Sequence, residues 1–306
     1  MLNLYHLLHQ QVTFMKSFYS YTMIVLLLTA CSPAGDESTH SAKENTPPNQ
    51  PIAIQTDHGD ETTGIANGTQ AQTAEGSHYT YLIVHGASGG GWDWRTMDDL
   101  LTADGHKVYR PTLTGLGEKM HLNSPEINLT THINDIANVI LFENLQDIVL
   151  VGHSYGGIVI TGVMNRMPER IRHAIFLDAG TPQDGMSAED LWGSITSSHK
   201  IEDGIVYFSW LDPDSSLPRD VPQSLKTLTE PVSFDNPAAL NLPVTFIAYI
   251  HPGQTAEERA TDPSWQNASA RKWTIRTLES DHNAQRSHPE ELTALLEAAP
   301  RDRNQP

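Results

Sequence analysis

From residue 79 onward, apolar residues gather into short runs, and the spacing inside each run separates strands from helices. Residues 79–84, 107–109, 148–151, 173–177, 243–250 and 273–278 are rich in Ile, Val and aromatic side chains, the composition of buried strands. Between them, residues 94–103, 128–142, the stretch after 156 and residues 289–298 read as helices. Their apolar positions recur three and four apart, as in Ile133, Ile136, Ala137 and Ile140, or Leu292, Leu295 and Leu296. Asp104-Gly105 stops the first of these helices and Pro168 the third. Strand and helix alternate, which predicts an α/β fold. Its mostly parallel sheet is covered on both faces, and its site lies at the carboxyl ends of the strands.

The alternation fails in two places. Residues 183–240 break into short aromatic pieces separated by Pro and Asp, including Leu191-Trp192, Val206 through Trp210 and Val232-Ser233-Phe234. An inserted cap over the site explains these pieces better than a continuation of the core. Residues 32–77 are rich in Ser, Thr, Pro, Asn, Gln, Gly and acidic side chains, and bury too little apolar surface to offset the ordering of their backbone. Residues 15–31 read as an export signal: Met15-Lys16 is a positive start, residues 23–28 are an apolar core too short to span a bilayer, and Leu28-Thr29-Ala30-Cys31 resembles a bacterial lipobox. Cys31 is the chain's only cysteine, which excludes an internal disulfide and places the thiol where lipidation needs it. Met15 is then a candidate initiator. The chain divides into a signal region 1–31, a tether 32–78, an α/β domain 79–299 and a tail 300–306. A lipid at Cys31 would be its link to a membrane, and Ser32 in place of the aspartate that retains lipoproteins at the inner membrane predicts the outer one.

The 306 residues suffice for one substantial core. A formal net charge of −18 argues against nucleic acid and anionic lipid surfaces as partners, since both require a basic face. No metal-ligand cluster or nucleotide-binding motif stands in the chain, so no cofactor is expected. Asp212-Pro213-Asp214-Ser215-Ser216 hints at a calcium loop, but Leu217 occupies the position that needs glycine. Nothing in the pattern sets the number of chains in an assembly.

The candidate chemistry centres on Ile148 through Ile160, where an apolar run enters Gly152-His153-Ser154-Tyr155-Gly156-Gly157 and a second apolar run leaves it. Strand, sharp turn and helix in that order make Ser154 a candidate nucleophile standing at the end of the sheet, with glycines leaving room for the turn. His85-Gly86-Ala87-Ser88 follows the first strand, where a second backbone N–H of an oxyanion hole is placed, so the amides of Ala87 and Tyr155 are the candidate donors. His282, between the last strand and the last helix, is the candidate general base. His153 points the other way along the backbone. His121, His251 and His288 are loop residues to which the pattern assigns no partner.

Taken together, His85-Gly86-Ala87, residues 111–118 (Pro-Thr-Leu-Thr-Gly-Leu-Gly-Glu), the Ser154 elbow and Phe176-Leu177-Asp178-Ala179 resemble bacterial α/β-hydrolase-fold esterases. Within that fold the likeness is to the salicylate-esterase-like proteins related to plant methyl esterases and hydroxynitrile lyases. The resemblance spans about residues 79–299 and implies a serine hydrolase acting on a small ester through an acyl-enzyme. In the plant methyl esterases the triad acid follows the strand after the cap, yet residues 246–254 here hold no carboxylate. Asp178, ending the strand beside the nucleophile strand, can reach the same space from one strand over, and the bacterial subgroup also carries Asp there. Asp178 is the favoured acid and Glu257 the alternative. Asp281 adjoins His282 and points away from its ring nitrogen. Serine at the elbow argues against dehalogenase or epoxide-hydrolase chemistry. Hydroxynitrile-lyase chemistry would need a lysine that the late loops lack, and a non-catalytic ligand-binding member of the fold would keep the same elbow.

Overall fold

The computed structural model describes residues 78–304. The signal region, Cys31 and nearly all of the tether lie outside the described residues. Six strands form one wholly parallel sheet: β1 (Thr80–Val84), β2 (Lys107–Tyr109), β3 (Ile148–His153), β4 (Ile171–Leu177), and, after an intervening segment, Val244–Ile250 and Thr274–Glu279. The intervening segment holds a separate antiparallel sheet of β5 (Lys200–Glu202), β6 (Ile205–Tyr207) and β7 (Gln223–Ser224), so the last two strands of the main sheet are β8 and β9. The main sheet runs β2-β1-β3-β4-β8-β9. The chain steps from β1 outward to β2 and then returns to the other side of β1. The order therefore reverses between β1 and β3, the crevice where ligands settle in open α/β sheets.

All six residues of β3 are buried, as expected of a strand covered on both faces. Period two divides its side chains. Ile148 and Leu150 join one core with Leu82, Val84, Phe176 and Phe246, while Val149 and Val151 join another with Tyr81, Ile83, Ile175, Leu177 and Ile247. Helices α1 (Arg95–Ala103) and, at the far end of the chain, Pro289–Ala298 cover the second core through Met97, Leu101, Leu292 and Leu296. Helices α2 (Leu129–Phe142) and α3 (Gly156–Arg166) cover the first through Ile133, Ile136, Ile140, Ile158 and Val163. The start of α2 is set by Asn128, whose Oδ1 accepts the N–H of Thr131 at 2.9 Å in a capping box. The Ser154 elbow requires close packing at its glycines: a Cβ on Gly156 would lie 2.4 Å from the Val84 carbonyl oxygen, and one on Gly157 2.3 Å from that of Gly180.

The segment between β4 and β8 adds α4 (Ala188–Trp192), α5 (Ile195–Ser198), α6 (Lys226–Thr229) and α7 (Pro237–Leu240) to its small sheet. Strands were not expected there. The β5–β6 hairpin turns at Asp203 and Gly204, both at positive φ (48° and 76°), the conformation that favours a tight hairpin. Asp-Gly between Ile201 and Ile205 was the local signal for it. Beyond β8 come α8 (Ala256–Arg259) and α9 (Pro263–Ala270), and beyond β9 come α10 (Ala284–Ser287) and the last helix, α11.

Candidate active site

Parallel register delivers the candidate residues to one edge of the sheet. Gly152 pairs with Phe176, His153 with Leu177, Leu177 with Ile247, and Ile250 with Glu279. Ser154, Asp178, His251 and His282 therefore leave β3, β4, β8 and β9 at neighbouring points. Ser154 adopts φ +54°, a left-handed conformation rare for a residue with a side chain, and its N–H remains tied to the Leu177 carbonyl at 3.1 Å. Asp178 is likewise left-handed, φ +41°, with its N–H on the Ile247 carbonyl at 2.9 Å. Two adjacent strands thus end in strained turns that are held by the ladder itself.

The Asp178 carboxylate is buried and has four donors. Oδ2 accepts from His282 Nδ1 at 2.6 Å and from His251 Nε2 at 3.1 Å. Oδ1 accepts from Arg259 Nη2 at 2.5 Å and from the Tyr249 N–H at 3.3 Å. Burial pushes this carboxyl up, but the hydrogen bond and charge of His282, with the Arg259 guanidinium beside it, outweigh burial and hold it well below the usual carboxylate range. With Nδ1 committed to Asp178, Nε2 is the His282 nitrogen left to take a proton. Glu257 is exposed on α8, and Glu258 turns back to accept the Thr255 N–H at 2.8 Å. The structure therefore brings Asp178, and neither glutamate, to the histidine.

Two histidines differ from the sequence reading. His251, to which the pattern assigned no partner, lies on the Asp178 carboxylate. His153, expected to point away, packs its ring 4.8 Å from that of His282, and its Nε2–H donates to the His282 carbonyl at 2.8 Å. The loop after β9 brings His282 onto the His153 ring. Arg259 was also missed. It is the last residue of α8, the first helix after β8, and supplies a cation to an acid one strand away.

Three histidines in and around the elbow are buried and neutral. His85 Nδ1–H donates to the Gly86 carbonyl at 2.8 Å, while Nε2 accepts the Leu113 N–H at 3.1 Å. His132 Nε2–H donates to the Thr114 carbonyl at 3.0 Å, leaving Nδ1 to accept the Tyr155 hydroxyl at 2.9 Å. Burial lowers both to about 4, and burial together with the nearby His282 charge lowers His153 to about 3. His132 thus fixes the side chain of Tyr155, whose amide is one candidate oxyanion donor. Among the described residues, no hydrogen bond uses the N–H of Ala87 or of Tyr155. Both residues line, with Ser154 and His282, a cavity of about 610 Å³. One wall is aromatic, with Trp192, His199, Phe208 and Trp210, and the other carries His251, Gln254 and Arg259. Asp178, His251 and His282 could between them offer a metal ion three ligand atoms within 4.8 Å of one another. Arg259 and the Tyr249 N–H already occupy the other carboxylate oxygen, and the two histidines satisfy Oδ2.

Residues 81–295 match the model of the alpha/beta hydrolase family, and the chain belongs to that family. It is 30% identical to pheophorbidase from Raphanus sativus over 73% of this chain and 94% of that protein. A shorter stretch, 35% of this chain, is 47% identical to carbendazim hydrolyzing esterase from a Nocardioides species and spans 44% of that enzyme's length. Among solved structures, an extracellular alpha/beta-hydrolase from a Paenibacillus species superposes with a TM-score of 0.56 at 20% identity, covering 72% of this chain and 98% of that one. The Paenibacillus likeness is one of fold. Relatives by sequence include proteins named as an esterase and as methylesterases, and this chain is a hydrolase of the esterase kind.

Proposed function

We propose that the chain hydrolyses small carboxylic esters in two steps through an acyl-enzyme on Ser154. Ser154 Oγ attacks the ester carbonyl carbon while His282 Nε2 takes the hydroxyl proton, and Asp178 holds Nδ1–H and offsets the imidazolium charge. The N–H groups of Ala87 and Tyr155 receive the carbonyl oxygen as it becomes anionic. The tetrahedral adduct collapses, the alcohol leaves with the proton from His282, and water repeats the sequence to release the acid. The observation that carries this reading is the 2.6 Å contact between His282 Nδ1 and Asp178 Oδ2 beside a serine held at φ +54°. Ala87 and Tyr155, with uncommitted amides, line the same cavity. Its volume suits a small organic substrate. No lysine stands among the lining residues, so the cavity offers nothing in favour of hydroxynitrile-lyase chemistry.

The test is pre-steady-state release of p-nitrophenol from a short acyl ester. A burst stoichiometric with enzyme, abolished in Ser154→Ala, is the expected result. A purified Ser154→Ala variant that retains most of the activity refutes the mechanism, and a folded wild-type chain with no turnover favours the ligand-binding reading. The chain's place in the cell is also a proposal: Cys31 carries a lipid, residues 32–78 tether the domain, and the enzyme is exported to the cell envelope at the outer membrane. The lone cysteine at the end of a signal-like segment supports it.

A further inference from the structure

Ser88 ties the loop after β1 to the segment between β4 and β8. It is fully buried at φ +62°, and three residues of that segment converge on it. Gln223 Oε1 accepts the Ser88 N–H at 2.9 Å, the Val221 N–H donates to the Ser88 carbonyl at 2.9 Å, and the Trp210 indole N–H donates to Ser88 Oγ at 3.1 Å. The Ser88 hydroxyl in turn donates to the Ala87 carbonyl at 2.6 Å, and Gln223 is steadied by its own amide on Thr227 Oγ1 at 2.7 Å. The peptide between Ala87 and Ser88 is therefore gripped at both its C=O and its N–H. The preceding peptide is held through the Gly86 carbonyl by His85. A peptide plane has no internal freedom, so pinning both planes leaves Ala87 almost no choice of where its N–H points.

We propose that Trp210 and Gln223 are positioning residues for the oxyanion donor Ala87, so that this segment sets the oxyanion hole through Ser88. The inference rests on the assignment of Ala87 made above. Trp210 also forms the cavity wall: its indole stacks on Phe208 with ring centres 4.4 Å apart and meets the His199 ring edge-on at 5.2 Å. A substrate group seated on that wall presses on the residue that holds the oxyanion loop. Binding there is then expressed in kcat as well as in KM, since it favours the geometry in which the transition state is stabilised.

Trp210→Phe keeps a ring on Phe208 and loses the indole N–H. Gln223→Met keeps the volume and loses both side-chain hydrogen bonds. Each would be assayed with p-nitrophenyl acetate for kcat and KM, with a phenylboronic acid as a tetrahedral mimic reporting on the oxyanion hole, and by thermal unfolding. Loss of a whole oxyanion donor costs about 10²–10³-fold in kcat, so loosening one should cost about 10-fold in kcat and in boronic-acid affinity, with KM changed by less than about twofold. Thermal stability of Trp210→Phe should match wild type, so its loss cannot be ascribed to unfolding. Wild-type kcat and boronic-acid affinity in both variants, while Ser154→Ala is inactive, overturns this inference and leaves the proposed function standing. A raised KM at unchanged kcat also overturns it, making Trp210 a wall alone. An active Ser154→Ala overturns both readings.

Discussion

Acidification from about pH 7 to about pH 5 should destabilise this fold far more than its carboxylates can explain, because three histidines are buried in neutral form. In the unfolded chain each takes a proton near the ordinary histidine value of about 6.5. In the folded chain His85 and His132 do so only near 4 and His153 only near 3. Between those limits the unfolded state binds more protons, so stability falls as pH falls. One pH unit is worth about 1.4 kcal/mol per group. At pH 5 each histidine therefore costs about 2 kcal/mol, on the order of 6 kcal/mol for the three, against a typical total of 5–15. Asp178 works in a different window. Its depressed carboxyl stabilises the fold above the ordinary carboxylate value, and this contribution is lost only as pH falls below that value toward its own. Urea denaturation at several pH values measures the slope directly. His132→Gln supplies an amide that can both donate to the Thr114 carbonyl and accept the Tyr155 hydroxyl, and should remove about a third of the pH dependence. A stability that changes by less than about 1 kcal/mol between pH 7 and pH 5 would refute the assignment of these histidines as buried and neutral.

Asp178→Asn should lower kcat by about 10⁴-fold, by presenting the wrong partner to the His282 N–H, while Glu257→Gln stays within about twofold. Steady-state kinetics of the two purified variants decides between them, and the reverse pattern would move the acid to α8. Arg259→Met removes the cation from a buried carboxylate and should destabilise the fold by about 3 kcal/mol, read by chemical denaturation, with its acid unfolding moved to higher pH. An Arg259→Met chain as stable as wild type would show that His282, His251 and the Tyr249 N–H suffice to hold Asp178. Cys31→Ser should abolish labelling by radioactive palmitate and shift the chain from the detergent phase to the aqueous one, whereas an unlabelled wild-type chain would reject the lipid anchor.

The periodic part of this protein is legible in its sequence. Isolated apolar runs with Ile and Val gave the strands of the main sheet, three-and-four spacing gave α1, α2 and α11, and Asn128 sits where α2 begins. The Ser154 elbow could be read because its geometry is local: strand, turn, helix and the glycines they need are consecutive in the chain. The place of His282, in the loop after the last strand, could be read from the element order. The partners of Asp178 could not, since His251 and Arg259 stand 73 and 81 residues away and follow a different strand. Their arrival depends on β4 and β8 being neighbours in register, a property of the assembled sheet. The same holds for Ser88 and Gln223, separated by 135 residues, and for His153, whose ring meets a loop 129 residues on. Hydrophobic periodicity and turn chemistry act over a few residues and are written into the chain. Which donors surround a buried carboxylate, and which side chains hold the loop after β1, follow from strand order and loop path, and only the tertiary structure decided them.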